Sequence, residues 1–214
     1  MGKKVNPKLL RLGPIYNWSS RWFDDKRYKE VLLEDFYLRK ALLDKLSNAG
    51  VSEIEIERSI NNLKLTIYVS RPGMVIGRGG AGLEELKLFV FGVLKIKKDS
   101  KSAPKIDIRA EPIKEPNLDA YLIAKNIADQ LVKRIPHKRA MTSAVERAMN
   151  AGAKGVRIII AGRVGGAEIN RKEKAQRGTV PLSTIREHIG FASIPALTKK
   201  GYIGVKVWVN RGEK

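Results

Sequence analysis

The sequence predicts an α+β protein of two units, a first in which a glycine loop joins two helices beside a sheet and a second with two helices on a mostly antiparallel sheet. Three observations carry this prediction. Runs that alternate polar and apolar residues stand beside runs with a helical period. A break at Glu115-Pro116-Asn117 separates two sets of such runs. Of the 214 residues 43% are hydrophobic, enough for real cores despite 42 Lys and Arg. The boundaries follow as a basic arm over 1–28, a first unit over 29–114 and a second over 115–214.

The arm sets Lys3, Lys4, Lys8, Arg11, Arg21, Lys26 and Arg27 against Asp24 and Asp25, and its Trp18, Trp22 and Phe23 predict docking on a folded surface. From Lys29 to Ala49 apolar residues recur at Val31, Phe36, Leu38, Leu42 and Leu46, a helix with Gly50 as terminator. Ser52–Ile60 and Leu63–Val69 then alternate with period two about Asn61-Asn62, which is a hairpin with one buried face. Pro72-Gly73 opens the short apolar piece Met74–Ile76, Gly77–Gly80 follows, and Ala81 to Leu94 is helical. A polar run from Lys95 to Pro104 leads to the strand Lys105–Glu111.

In the second unit Leu118–Arg134 and His137–Asn150 read as helices parted by Pro136, with Ala140, Met141, Ala144, Val145 and Ala148 on one face. Strands are expected at Gly155–Ala161, around Ala167–Asn170, around Pro181–His188 and at Tyr202–Val209.

Charge and composition narrow the function classes. The net charge of +20 exceeds what solubility needs and seeks a polyanion. Without cysteine there is no disulfide, thiolate nucleophile or Cys-based zinc site, and two histidines are too few for a metal cage. Glu84 and Glu85 diverge around a helix, while Glu53, Glu55 and Glu57 lie on a polar strand face, so no acid/base pair is formed. Neither His137 nor His188 stands in a catalytic motif. No enzyme, no metal and no cofactor is therefore expected. With no apolar run after the basic N-terminus and no stretch of about 18 apolar residues, the expectation is a soluble cytoplasmic protein.

Three motifs point to nucleic acid. Gly77-Arg78-Gly79-Gly80-Ala81-Gly82 satisfies the dinucleotide fingerprint by letter, but that fingerprint must follow directly on a buried strand, and here only Met74–Ile76 separates it from Pro72-Gly73. As a G-x-x-G turn between helices, Gly77–Gly80 lets a nucleic-acid backbone approach main-chain amides, with Arg78 supplying charge. The order of elements around it resembles a KH domain of the second topological type, an RNA-binding module. Lys133, Arg134, Lys138 and Arg139 flank Pro136; cations in a helix's first turn oppose its dipole, and a nearby anion would reverse that sign. Between Leu131 and Gly178 there are 12 basic residues against 3 acidic, a surplus of +9. Within it Arg163, Arg171, Lys172, Lys174 and Arg177 are read as contacts to a phosphate backbone.

Four separated motifs then carry a family likeness: Gly2-Lys-Lys-Val-Asn-Pro7 with Arg11-Leu-Gly13 and Trp22-Phe23, Pro72 through Gly80, Arg163-Val-Gly-Gly-Ala-Glu-Ile169, and Gly201-Tyr-Ile-Gly-Val-Lys-Val-Trp208. In that order they resemble the bacterial family of the third protein of the small ribosomal subunit. The resemblance implies a structural protein of the subunit head whose arm and both domains contact small-subunit ribosomal RNA. Lys3, Lys4, Lys8, Arg11, Gly77, Arg78, Gly79 and Gly80 join the cluster at Arg163–Arg177 as RNA-binding residues. It implies ribosomal proteins ten and fourteen as neighbours, with four and five near the entrance for messenger RNA. Lys133, Arg134, Lys138 and Arg139 would line that entrance and assist unwinding. Thr142 stands where the family often has a further basic residue, and Gly79 leaves Arg78 the only charged side chain in its loop.

Overall fold

The computed structural model describes residues 5–94 and 105–213 and divides the chain into two compact units. One is Trp18–Lys114; the other joins Met1–Asn17 to Glu115–Lys214. The stretch read as one arm is thus shared between them, and Lys3, Lys4 and the polar run 95–104 lie outside the described residues. In the second unit's N-terminal piece, α1 (Pro7–Leu10) is a single turn started by Pro7 and by Asn6, whose side chain accepts from the Lys8 amide at 2.9 Å.

The first unit begins with β1 (Ser20–Arg21) and α2 (Tyr28–Lys45). A 3₁₀ turn, Ser47–Ala49, extends α2, and Gly50 ends it in the left-handed region at φ 69°. β2 (Val51–Arg58) and β3 (Asn62–Val69) form the expected hairpin. α3 (Pro72–Ile76) and α4 (Ala81–Val93) enclose the glycine loop, and β4 (Lys105–Pro112) completes a sheet in the order β1-β2-β3-β4. The central pair is antiparallel and both outer pairs are parallel. Alternation places Ile54, Ile56, Leu65 and Ile67 under Leu38, Leu42 and Val90, all within 2% of complete burial. Of the arm's three aromatics only Trp22 docks, while Trp18 and Phe23 stay 67% and 90% exposed.

In the second unit α5 (Ala120–Val132) starts at Asp119, whose carboxylate accepts from the Tyr121 and Leu122 amides. α6 (His137–Asn150) follows, with Pro136 as its cap. β5 (Gly155–Gly162), β6 (Arg171–Gly178), β7 (Glu187–Thr198) and β8 (Gly201–Glu213) pair antiparallel in the order β6-β5-β8-β7. Ile127, Ala144 and Ala148 pack on Val156, Ile158, Ile160, Val205 and Val207.

Two strand positions need correction. Ala167–Asn170 is a turn with Ile169 82% exposed, and the strand is the charged run 171–178. As an edge strand it needs only one inward face, and edge lysines discourage further pairing. Most of Pro181–His188 is likewise turn. Strand β7 begins at Glu187 and contains Pro195, tolerated because β7 is the opposite edge.

Candidate nucleic-acid interface

In the first unit the chain crosses from α3 to α4 in four residues. Gly77 adopts φ 70°, ψ −179°, a conformation open essentially to glycine alone, and a Cβ there would lie 2.9 Å from the Gly82 nitrogen. A Cβ on Gly82 would come still closer to the Val75 carbonyl oxygen, at 2.5 Å, so these two glycines let the helices cross. Gly79 and Gly80 have φ 63° and 86° with open space where a Cβ would stand. They therefore shape a bare backbone surface, with Arg78 exposed beside it and no side chain capping α4.

In the second unit Lys133, Arg134, Lys138 and Arg139 are all exposed around the α5–α6 elbow. The Ile135 amide donates to Gln130 O at 3.0 Å and the Arg134 amide to Leu131 O at 3.0 Å, the paired bonds of a Schellman turn. Arg134 occupies the left-handed position usually held by glycine, with φ 62°. Arg139, Lys133 and Arg134 share a shallow groove with Asn126, Gln130 and Ser143. Lys138 and Arg139 lie in the first turn of α6, which has no acidic residue to offset them.

The cluster at 163–177 is divided by strand alternation. Lys172 and Lys174 pair with Ala161 and Ile159 on the sheet face away from the helices. There β5 and β8 add Arg157 and Lys206, two cations that only the register reveals. Arg171 and Glu173 turn to the other face, where Glu173 Oε2 lies 2.8 Å from His137 Nε2. Arg163 is exposed and donates from Nε to Ala167 O at 2.9 Å.

Arg11 is a correction. Its side chain is fully buried, and its guanidinium donates to the carbonyls of Pro7, Pro181, Leu182, Thr184 and Glu187 at 2.6–3.3 Å. Loss of water pushes its pKa below the ordinary guanidinium value, opposed by Tyr16 and Glu187. It fastens the N-terminal piece, and its side chain offers no surface to solvent. Lys8 stands half-buried 5.4 Å over the Tyr16 ring.

The sequence reading missed Lys199 and Lys200. They form the two-residue turn between β7 and β8; Lys200 Nζ donates to Gly166 O at 3.2 Å, and Lys199 lines the same pocket as the glycine turn after β5. The Lys-Lys-Gly201 step was a turn signal, hidden because β7 was placed too early. Among the described residues no three His, Asp or Glu are grouped to hold a metal, and no helix is long and apolar enough to cross a membrane.

Comparisons with known proteins agree with this geometry. The sequence profile of the KH domain matches residues 37–118, and that described as "Ribosomal protein S3, C-terminal domain" matches residues 127–209. Curated proteins named small ribosomal subunit protein uS3 align over 100% of this chain. The one from Carboxydothermus hydrogenoformans is 47% identical and covered over 93% of its length. Those from Lactobacillus helveticus and Natranaerobius thermophilus are 45% and 44% identical, covered over 92% and 90%.

Proposed function

The chain belongs to the uS3 family of small ribosomal subunit proteins, and from that premise we propose that it sits in the subunit head and lines the entrance for messenger RNA. It is a structural, RNA-binding ribosomal protein and not an enzyme. Small-subunit ribosomal RNA is its principal partner, with Arg78 and the Gly77–Gly80 backbone on one unit and Arg163, Arg171, Lys172, Lys174 and Arg177 on the other as phosphate contacts. Ribosomal proteins ten and fourteen are its protein neighbours, with four and five nearer the entrance, and its place is the cytoplasmic small subunit.

One observation supports the messenger role above all: four exposed cations crowd the α5–α6 elbow, two of them at the helix end whose dipole repels them. Placement against the dipole costs about 0.3–1 kcal/mol per charge unless an anion lies close. A passing phosphate backbone supplies it.

Two measurements test this reading. On sucrose gradients the protein should run stoichiometrically with the small subunit at low salt; migration with free protein at low and high salt would refute the ribosomal placement. The double variant Lys138→Ala, Arg139→Ala should fold normally yet slow translation through a stable messenger hairpin. Unchanged passage would remove the unwinding role.

A further inference from the structure

A cavity of about 490 Å³ lies within the second unit, between the α5–α6 elbow, the glycine turn after β5 and the β7–β8 turn. Its rim is cationic: Arg134, Arg163, Lys199 and Lys200 line it together with His137, and among the described residues no acidic side chain does. Glu173 stands behind His137, held by that ring and by Arg171 at 3.4 Å. The walls are apolar, built from Val132, Ile135, Pro136 and Ile203. Gly165 and Gly166, at φ 67° and 84°, bring bare backbone to the opening.

Volume and chemistry together specify the occupant. A small-molecule pocket has a few hundred Å³, mostly apolar walls and a few convergent polar groups. A bare phosphate would use the rim and leave the apolar walls empty; an apolar ligand would use the walls and leave the cationic rim without an anion. A nucleotide satisfies both, its base on Ile135 and Pro136 and its phosphate between Arg134, Arg163 and Lys200. Arg134 is held in place by a left-handed backbone that an L-residue adopts at a cost, and such strain gathers at binding sites.

We infer that this cavity binds one nucleoside monophosphate unit, either a nucleotide turned out of an RNA strand or a free nucleotide. The strand arm of the inference rests on the RNA-binding reading above; the cavity's own chemistry does not.

The test uses the full chain labelled with ¹⁵N and follows the amide signals of Gly165 and Gly166. Uridine monophosphate should shift them saturably, with at least tenfold higher affinity than inorganic phosphate or uridine. Val132→Trp, at the exposed end of α5, should fill the cavity and weaken that titration at least tenfold while the remaining spectrum stays native. Lys200→Glu provides a second variant, expected to weaken it similarly. A ten-residue oligouridylate that displaces the mononucleotide identifies an RNA strand as the source; one that binds elsewhere and leaves it in place identifies a free nucleotide. Absence of a shift, equal affinity for phosphate alone, an unaffected Val132→Trp, or tighter occupation by an acidic decapeptide would each overturn the inference. A chain that binds mononucleotide but no oligouridylate would keep the cavity and refute an RNA strand as its source, and the converse would lose only the cavity, with the ribosomal placement tested separately on the gradient.

Discussion

Arg11 donates its Nε–H to the carbonyl oxygen of Glu187 at 2.7 Å, across 176 positions of sequence. Four further carbonyls surround the same guanidinium, two of them at 2.9 Å or less. The planar fork with five donors matches this ring of acceptors, and an ammonium with three donors does not. A cation that composition alone would assign to RNA is thereby the fastening of the N-terminal piece to the turn before β7.

Arg11→Ala is expected to destabilise the second unit by about 2–4 kcal/mol, because buried carbonyls lose charge-assisted donors. Arg11→Lys should recover less than half. Urea unfolding measures both. The salt dependence of RNA binding by the folded fraction should stay unchanged, and a shallower slope would restore Arg11 to the RNA contacts.

Asp35, 1% exposed, accepts from Trp22 Nε1 and from Arg58 Nε, each at 2.8 Å, while Glu34 takes Arg58 Nη1 at 2.8 Å. This buried carboxylate ties the segment before α2 to α2 and β2. Asp35→Ala should cost about 3 kcal/mol by leaving Arg58 without its main partner, and Trp22 fluorescence should shift to the red. Asp35→Asn keeps one acceptor, so a smaller loss with a smaller spectral shift is expected.

The two glycines of the KH loop should respond differently to alanine. Gly79→Ala meets open space and bears only the penalty of φ 63°, about 1 kcal/mol. Gly77→Ala adds a Cβ 2.9 Å from Gly82 N in a region reserved for glycine, for about 2–4 kcal/mol. Thermal unfolding distinguishes them, and equal losses would refute the close crossing of α3 and α4.

Arg134→Gly should stabilise the fold by about 1 kcal/mol, since glycine relieves the left-handed strain of the Schellman turn. The same change should weaken RNA binding and lower its log-log salt slope by about 0.7, the share of one phosphate on a single strand. Arg134→Ala keeps the strain and loses the charge, so it should weaken binding without gaining stability.

The first unit was legible because its signals are local. The alternation at Ile54, Ile56, Leu65 and Ile67, the terminator Gly50 and the loop Gly77–Gly80 each act within a few residues, and period-two and period-3.6 patterns need no distant partner to be read. The two helices of the second unit and the exposure of Lys133, Arg134, Lys138 and Arg139 were legible for the same reason.

Charge and motif order in the sequence by themselves determined that this is an RNA-binding ribosomal protein with a KH unit followed by an αβ unit. Outside the α5–α6 elbow, tertiary structure decided which cations face outward. Arg11 and Arg78 are the same residue type, each close to glycine in the sequence, yet one is sealed among five carbonyls from residues up to 176 positions away and the other stands exposed. The edge strand 171–178 took its conformation from pairing with β5, against its own polarity, and so divided one basic run between two faces. Lys200 reaches Gly166 only because the β7–β8 hairpin folds back beside β5. Long-range backbone pairing sets these positions, and its partners are neighbours in space that no window along the chain contains.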